Sequence, residues 1–565
     1  MVTQSTGSSD SDEFDVVILG AGAGGMTAAC VAAAEGLEVL LLEKTPFIGG
    51  TTAISGGMVW TPNCDFDEAR EDSRDRTEAY LQATVPTSRG REMRDAFLDA
   101  APEAIDYLAR HTAVQLKPVP VYPDYYPEAE GSTTHGRVLE PVPFDARDLG
   151  ADFALLRPPL PEFTLFGGMM IARPDIPHFR NMFRSLGSAM RVARLVSAYL
   201  IQRLRHPRGT DLVLGNALVA RLLKSLLDRS VAIRREVDVI RLEMRDGRVA
   251  GVVVAGAGGS ERLIKARRAV ILATGGFSHD GARRRSLLPR GAEELTAAAE
   301  GGTGDGLELG TTAGGEVESG EFGPAYWMPA SHYRRADGRH VVFPHAITDR
   351  GKPGLIAVTS EGRRFTNEAI SYHEFVRAML RTDNAVPAHL ICDRHFLWKY
   401  GLGAIRPMTM RLTPYKAAGY LTEAGSIGEL AQALGVDADA FAATVERFNS
   451  DARTGVDTEF GKGENVYQRH TGDPDVQPNP CLAPIETPPF YSVAVYPADL
   501  GTACGLTVNV HAQVLDGGGA PVPGLYACGN DMMSIMQGAY PGPGITIGPA
   551  LTFGYIAARH AAGRN

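Results

Sequence analysis

A glycine-rich segment near the start of the chain has the spacing of a phosphate-binding turn. Gly20, Gly22 and Gly25 form the pattern G-x-G-x-x-G directly after the apolar run 14–19. An alanine-rich helix is predicted next, followed by a second apolar strand with Glu43 at its end. Backbone amides at such a turn bind a pyrophosphate, and the acid accepts hydroxyl hydrogens of an adenosine ribose. Because strand, helix, second strand and acid are all present, the sequence predicts dinucleotide binding rather than an ordinary glycine-rich turn.

Two further features indicate which dinucleotide is bound. A carboxylate at Glu43 would repel a ribose 2′-phosphate, which disfavours NADP. The runs 49–52 (GGTT) and 55–57 (SGG) follow the second strand. They supply more backbone and hydroxyl groups than an NAD domain needs, which favours a longer cofactor; a plain surface turn is the alternative reading.

The pattern of a strand followed by glycines occurs three times in the chain. The second unit is 269–277 (AVILATGGF), and the third is 524–530 (GLYACGN). The three units together resemble the FAD domain of the succinate dehydrogenase and fumarate reductase flavoprotein superfamily. The resemblance implies an FAD site lined by Gly20, Gly22, Gly24, Gly25, Glu43, Lys44, Gly50, Thr51, Thr52, Ser55, Gly56, Gly57, Val237, Ala273, Thr274, Gly275, Asp305, Gly529, Asn530, Gly544, Thr546 and Ile547.

The same resemblance implies an α/β fold in which a Rossmann-like FAD-binding domain is interrupted by an inserted α+β capping domain. The segment 303–310 (TGDGLELG) resembles the helix start that precedes this insertion. We expect a disordered tail over 1–13, the FAD-binding domain over 14–320 and 501–565, and the catalytic capping domain over 321–500.

The loop before the last predicted helix contains residues suited to polarising a carbonyl group. Residues 541–544 (PGPG) form a rigid turn with exposed amides, and the helix N-terminus after it can hold the flavin O2 edge. A proline-glycine linker is the alternative reading. Fumarate reductases carry an arginine in this loop to bind a substrate carboxylate. Tyr540 stands there instead, and its hydroxyl suits a neutral carbonyl. Relatives that bind FAD covalently carry a histidine near the GGTT turn; Ala53 follows it here, so we expect non-covalent FAD.

Three motifs give the chain a closer resemblance, to the 3-ketosteroid Δ1-dehydrogenases, over roughly 14–562. They are 123–128 (PDYYPE), 362–368 (GRRFTNE) with Tyr372 four residues on, and 540–550 (YPGPGITIGPA). The resemblance implies FAD-dependent desaturation of C1–C2 in a 3-ketosteroid, followed by transfer of electrons to an external acceptor such as a quinone.

The resemblance also implies catalytic roles for four residues. Tyr540 and the Gly544 N–H would bind the C3 carbonyl, Tyr372 would take the C2 proton, and the C1 hydride would pass to flavin N5. Tyr125, favoured over its neighbour Tyr126, would hydrogen-bond Tyr372. The chemistry is consistent, because a C–H beside a ketone becomes acidic only when the enolate oxygen is stabilised. A tyrosine has a pKa of about 10, so it needs activation to act as a base.

Three other functions remain open at this point. A 3-ketosteroid Δ4-(5α)-dehydrogenase shares the flavin domain and a carbonyl-polarising loop. The second alternative is a fumarate-reductase-like enzyme, and the absence of the loop arginine argues against it. A non-catalytic carrier would use the Rossmann frame to hold a lipid, which the complete glycine set and Tyr540 oppose.

Composition limits the partners and the compartment. The 565 residues include 66 acidic and 56 basic ones, for a net charge of −10, which argues against nucleic acid. Six cysteines without zinc-site spacing predict no metal, and together with the lack of an apolar leader they suggest the cytoplasm. The segment 178–208 has seven arginines, no acid and interleaved apolar residues. We hypothesise peripheral contact of this segment with an anionic membrane; a solvated basic face packed on the FAD domain is the alternative.

Overall fold

The computed structural model of the chain describes residues 12–67, 72–346 and 349–564. Most of the predicted tail, residues 1–11, lies outside them. The strands are β1 Glu13–Leu19, β2 Val39–Glu43, β3 Val59–Trp60, β4 Leu116–Pro118, β5 Val138–Pro141, β6 Phe144–Asp145, β7 Asp211–Leu212, β8 Ala232–Arg235, β9 Val239–Arg245, β10 Arg248–Ala255, β11 Glu261–Leu272, β12 Leu295–Thr296, β13 Val317–Glu318, β14 Ala325–Arg334, β15 His340–Pro344, β16 Leu355–Val358, β17 Ala388–Asp393, β18 Thr422–Ala424, β19 Phe490–Thr502, β20 Gly505–Leu506, β21 Gln513–Leu515 and β22 Pro521–Ala527. The helices are α1 Ala23–Ala34, α2 Gly50–Ile54, α3 Arg74–Thr84, α4 Arg91–His111, α5 Ile176–Arg180, α6 Leu186–Arg203, α7 Leu214–Asp228, α8 Gly281–Leu287, α9 Asp305–Thr312, α10 Tyr372–Arg381, α11 Arg394–Tyr400, α12 Thr413–Ala417, α13 Ile427–Leu434, α14 Ala438–Thr454, α15 Val466–Thr471 and α16 Ile547–Ala561.

The first sheet has a parallel centre in the order β22-β11-β1-β2-β8. The strands β1, β2 and β11 each contain a buried apolar run, 16–19, 39–42 and 269–272, as expected for strands that are covered on both faces. Leu19 at the end of β1 pairs with Leu42 of β2 and with Leu272 of β11, and Leu272 pairs with Ala527 of β22. The turns that follow these four strands therefore meet at one edge of the sheet, where open α/β sheets bind ligands.

Small side chains let the helices pack closely beside this edge. The alanine-rich α1 is buried almost throughout and packs against α7 and α16. The last helix, α16, also packs on α4 and is itself largely buried. The first and last parts of the chain thus share one core, as the discontinuous fold predicts.

A second sheet lies in the intervening part of the chain. Its order is β15-β14-β19-β17-β16, with β12 and β18 also paired to β19. Helix α10 packs on β14 and begins at Tyr372. The predicted α/β class is confirmed. The second sheet is drawn from 295–502, so β12 joins it from before the predicted boundary at 321; the boundaries themselves stay a prediction.

None of the helices in the described ranges is both long and apolar enough to cross a membrane.

Candidate active site

The turn after β1 has the close backbone packing that a pyrophosphate-binding loop requires. Gly20 has φ +102°, and a Cβ there would lie 2.2 Å from the Ala273 carbonyl oxygen. Gly25 packs against the backbone of Gly20. A Cβ at Gly22, by contrast, would meet no atom within 4 Å. The N-terminus of α1 therefore faces open space, as binding of an anionic group requires.

Glu43 stands at the end of β2, as predicted. Its Oε2 accepts the Ala21 N–H at 2.9 Å, and its Oε1 accepts the Thr45 N–H and hydroxyl, both at 2.8 Å. These bonds hold the carboxylate at the sheet edge and leave acceptor capacity on Oε2 for a ribose hydroxyl. Lys44 Nζ lies 2.9 Å from Asp305 Oδ2 and so links the end of β2 to the start of α9.

The hydroxyls of the GGTT turn hold neighbouring backbone in place. Thr52 Oγ1 accepts the Ala23 N–H at 3.2 Å, which fixes the start of α1. Thr51 Oγ1 accepts the Ala299 N–H at 3.0 Å. Ser55 donates to the Thr52 carbonyl at 2.8 Å and accepts the Gly57 N–H at 3.0 Å. These residues border the predicted cofactor site and also shape it.

A buried carboxylate that sequence reasoning missed joins two of the strand–glycine units. Asp531 Oδ1 accepts the Thr274 hydroxyl at 3.0 Å and the Gly276 N–H at 2.9 Å, and Oδ2 accepts the Thr274 N–H. Burial raises the pKa of Asp531 to about 6 against the effect of these donors. No local pattern marks this acid, because the groups that it joins lie far along the chain from it.

One cavity of about 1880 Å³ connects these groups. It exceeds the roughly 300–1,000 Å³ of an ordinary ligand pocket, so it has room for a dinucleotide and a second ligand. Every predicted cofactor residue except Gly25 lines it, and so do Tyr125, Tyr372 and Tyr540. The free α1 N-terminus, Glu43 and the long cavity together fit FAD.

The three predicted tyrosines meet inside this cavity although they are far apart in the chain. The Tyr372 hydroxyl donates to the Tyr540 hydroxyl at 3.0 Å. The Tyr125 ring lies 5.6 Å from that of Tyr372 and 5.8 Å from that of Tyr540. All three side chains are buried. The two hydroxyls in contact form a polar spot among the aromatic rings of this cluster.

Burial dominates the electrostatics of this cluster. It raises the pKa of Tyr372, Tyr540 and Tyr125 above the ordinary tyrosine value. Tyr125 lies close enough to Tyr372 to offset part of that rise. Its own hydroxyl makes no hydrogen bond of ordinary geometry to any described residue.

Gly544 adds a backbone donor beside Tyr540. It has φ +92°, and a Cβ there would lie 2.5 Å from the Met58 carbonyl oxygen, so only glycine fits without a shift. Its carbonyl accepts the Trp60 N–H at 3.2 Å and the Gly548 N–H at 2.9 Å. Its own N–H donates to no partner within the described chain, which leaves it free for a ligand.

The histidine next to Tyr372 is not available as a base. His373 Nδ1 accepts the Trp327 N–H at 3.1 Å, so the ring proton is on Nε2. Burial lowers the pKa of His373 to about 3. The neutral ring stacks on Tyr540 with centroids 5.6 Å apart. A proton acceptor in this cluster has to be a tyrosine.

The loop that carries Tyr125 is fixed by groups distant in sequence. Asp124 accepts Arg137 Nη1 at 2.7 Å and Trp60 Nε1 at 3.3 Å. The Tyr80 hydroxyl donates to the Pro541 carbonyl at 2.6 Å and so ties α3 to the C-terminal loop. Tyr80 carries no local sequence signal, because its role depends on the tertiary contact.

Tyr126 faces a different partner from Tyr125. Its hydroxyl donates to Glu374 Oε1 at 2.9 Å, and it does not line the cavity. The structure therefore brings Tyr125, and not its neighbour, to Tyr372 and Tyr540.

The GRRFTNE motif positions Tyr372 through buried charges. Arg364 bonds both Glu368 oxygens at 2.8 and 2.9 Å and both Asp457 oxygens at 2.8 and 2.9 Å. Lys462 Nζ lies 3.3 Å from Glu368 Oε2, and all four side chains are buried. These ion pairs hold the loop that leads into α10 in place.

Comparisons with known proteins indicate the same cofactor. A family model described as the FAD binding domain matches residues 15–547. A 4-oxocyclohex-2-ene-1-carboxylate 5-dehydrogenase of Sinomonas cyclohexanicum is 36% identical over 97% of this chain and 93% of its own length. A 3-oxosteroid 1-dehydrogenase of Mycolicibacterium smegmatis is also 36% identical, over 97% of this chain and 96% of its own length.

A solved structure is similar over almost the whole molecule. It is the 3-ketosteroid Δ1-dehydrogenase of Sterolibacterium denitrificans in complex with 1,4-androstadiene-3,17-dione. The TM-score is 0.91 and the identity 36%, over 98% of this chain and 100% of the other. The chain therefore belongs to the FAD-binding domain family, in the group that includes the 3-oxosteroid 1-dehydrogenases, and is an FAD-dependent oxidoreductase.

Proposed function

We propose that the protein introduces a C1–C2 double bond into a 3-ketosteroid. The observation that carries this proposal is the buried contact of the Tyr372 and Tyr540 hydroxyls at 3.0 Å beside the free Gly544 N–H. Two donors and a hydroxyl base in one cavity suit removal of a proton next to a ring ketone.

The donors would act on the ketone oxygen. Tyr540 O–H and Gly544 N–H together would bind the C3 carbonyl and stabilise the charge that develops on its oxygen as the C2 proton leaves. Both groups are held by the same turn, so their separation is preset. Loss of one such donor typically costs about 10²–10³ in kcat.

The base would be Tyr372, with Tyr125 as its partner. A ketone that enters the cluster would accept the Tyr540 O–H, and its C2 would then lie beside the Tyr372 oxygen, which donates to Tyr540 in the resting site. Tyr125, with no other hydrogen bond among the described residues, can then donate to the Tyr372 oxygen and stabilise its charged form. Bound FAD, held by the cradle described above, supplies the acceptor for the hydride from C1.

The names of the relatives suggest two ring ketones as candidate substrates. Both a 3-ketosteroid and a 4-oxocyclohexene carboxylate carry a C–H beside a ring carbonyl. A carboxylate would need a free cation. Arg173 and Lys399 line the cavity, but they lie 3.7 and 2.8 Å from the carboxylates of Glu140 and Asp473. Arg157, Arg180, Arg184 and Arg406 also line the cavity, and no carboxylate of a described residue lies within ion-pair distance of them, so charge alone does not exclude the carboxylate. The size of the cavity and the full-length similarity to a steroid-bound relative favour the steroid.

Regiochemistry separates this proposal from a Δ4-(5α)-dehydrogenase. The holoenzyme is incubated with a ring-saturated 5α-3-ketosteroid and an electron acceptor, and the product is examined by NMR. We expect vinyl protons at C1 and C2. A product with its double bond at C4–C5 would contradict the assignment of Tyr372 to the C2 proton.

A further inference from the structure

Four buried side chains near the second sheet form a chain of hydrogen bonds. The Tyr420 hydroxyl lies 2.7 Å from Ser331 Oγ. Ser331 Oγ lies 2.7 Å from His345 Nε2, and His345 Nδ1 lies 2.6 Å from Asp349 Oδ2. All four residues are at most 5% exposed. We call this set the polar chain. A buried polar network is costly unless every member is satisfied, and a satisfied one makes the elements that it joins rigid.

Both ends of the polar chain bind the same turn. The Tyr420 hydroxyl accepts the Ala404 N–H at 2.8 Å, and Asp349 Oδ2 accepts the Gly403 N–H at 3.1 Å. These two N–H groups can only donate. With the imidazole proton on Nδ1, each hydroxyl of the polar chain therefore donates to one neighbour and accepts from the other. Two adjacent peptide groups and four side chains thus close a ring in which each of these bonds has a donor and an acceptor.

The order serine, histidine, aspartate is also that of a hydrolase triad. Here Ser331 is fully buried, and none of the four side chains of the polar chain lines the large cavity. The Ser331 hydroxyl has Tyr420 as a second partner, so it is not free to attack a substrate. The arrangement therefore fits a positioning role and not a nucleophilic one.

The turn that the polar chain binds is a wall of the FAD and substrate cavity. Residues 401–403, 405 and 406 line that cavity. Gly403 has φ +56°, and a Cβ there would lie 2.1 Å from the Tyr420 hydroxyl oxygen. Glycine permits both the backbone conformation and this close approach. The position of the wall is therefore set by the polar chain behind it.

Arg350 links the polar chain to the loop that carries Tyr372. Its Nε donates to the His345 carbonyl at 3.0 Å. Its Nη1 donates to the Glu368 and Ile370 carbonyls at 2.9 and 3.3 Å. Because Ile370 precedes Tyr372 by two residues, the cavity wall and the loop of the proposed base are fixed to the same buried group.

We propose that the polar chain is a positioning device: it fixes the cavity wall at 401–406 relative to Tyr372 and so determines how tightly a steroid binds. This role rests on the proposed function, in which Tyr540 and Gly544 bind the ketone at one end of the steroid. The remaining rings then need a wall at a fixed distance from that end. A glycine-containing turn has little side chain of its own to hold it, and the polar chain supplies the missing support.

The test compares two variants of the polar chain with one control. Ser331→Ala removes the central hydroxyl, and Tyr420→Phe removes the partner of the Ala404 N–H. Tyr333→Phe is the matched control, because its ring packs 4.8 Å from that of Tyr420 while its hydroxyl lies outside the polar chain. Binding of 1,4-androstadiene-3,17-dione to the oxidised holoenzyme is followed through the flavin spectrum. The limiting rate of flavin reduction by 4-androstene-3,17-dione is measured separately.

The two quantities should respond differently. We expect the Kd of the dienedione to rise about tenfold in Ser331→Ala and in Tyr420→Phe, because the wall loses its support. The limiting rate should stay within about threefold of the wild type, because Arg350 still holds the loop of Tyr372. Tyr333→Phe should match the wild type in both quantities. FAD content and melting temperature verify that each variant is folded.

An unchanged Kd in both polar-chain variants would overturn the proposal even if their melting temperatures fall, because the polar chain would then be structural only. An equal rise in Kd for Tyr333→Phe would overturn it as well, since packing would be the cause. Both results leave the proposed function intact. A wild type that neither binds the dienedione nor is reduced by the steroid would instead contradict the proposed function itself.

Discussion

In the proposed reaction, Tyr372 acts as a base in surroundings that disfavour its charged form. Burial raises the pKa of its hydroxyl above the ordinary tyrosine value, and its resting hydrogen bond is to another tyrosine. In the proposed reaction, the compensation would come from a hydrogen bond that Tyr125 donates to the Tyr372 oxygen. Each of these residues therefore has a distinct and measurable consequence.

Removal of the Tyr372 hydroxyl should abolish most turnover. We expect Tyr372→Phe to lower kcat about 10²–10⁴-fold, the usual contribution of a general base, while FAD stays bound. Rapid-mixing measurement of flavin reduction, with the flavin spectrum as the control for cofactor content, tests this. Near-normal reduction by the variant would remove Tyr372 from the base role.

The pH profile distinguishes tyrosine from histidine as the base. A base must be deprotonated, and burial raises the pKa of Tyr372 in the free enzyme above the ordinary tyrosine value. The second-order rate constant of flavin reduction at low substrate reports the free enzyme, so it should climb up to about tenfold per pH unit from neutral pH without levelling below about pH 10. His373, whose pKa is about 3, would give a rate independent of pH above about 5. Flavin reduction measured across this range decides between them.

Tyr125 and Tyr126 form a natural pair of test and control. Tyr125→Phe removes a hydrogen bond to a charged oxygen, worth about 1.5–3 kcal/mol, so kcat should fall about 10- to 100-fold. Tyr126→Phe loses only its bond to Glu374 and should change kcat little. Equal effects in the two variants would mean that Tyr125 acts through packing alone.

At the scale of elements, the buried charges of the GRRFTNE motif hold the loop before α10. Arg364→Met would leave Glu368 and Asp457 without their main partner, at a cost of about 3–5 kcal/mol. The melting temperature of the holoenzyme should drop markedly. The neighbouring exposed Arg363→Met is the control and should stay within about 0.5 kcal/mol of the wild type. If the two variants melt alike, the buried network does not brace this loop.

Elements with local signals were predicted well from the sequence. The turn after β1 and the acid at Glu43 follow from glycine chemistry and strand pattern, and both stand where expected. Asp531 and Tyr80 were missed, because their roles arise from contacts with residues far along the chain, Thr274 and Pro541. Tyr125, Tyr372 and Tyr540 were found through family resemblance, since no local pattern brings three distant tyrosines together.

At the scale of the whole molecule, the cavity is bounded by both sheets and by the C-terminal loop. The first sheet supplies the FAD cradle, and α10 beside the second supplies Tyr372. Neither part contains a complete site, so the proposed chemistry depends on the relative position of the two sheets. Net charge was uninformative here, because the total of −10 conceals the arginine-rich segment 178–208.

The central claim is tested most directly by one anaerobic turnover. The holoenzyme is mixed without oxygen or acceptor with 4-androstene-3,17-dione, and in parallel with 4-oxocyclohex-2-ene-1-carboxylate. The account predicts loss of the flavin's visible absorbance with the steroid and stoichiometric formation of 1,4-androstadiene-3,17-dione. An unchanged flavin spectrum with the steroid, alongside full reduction by the carboxylate, would contradict it.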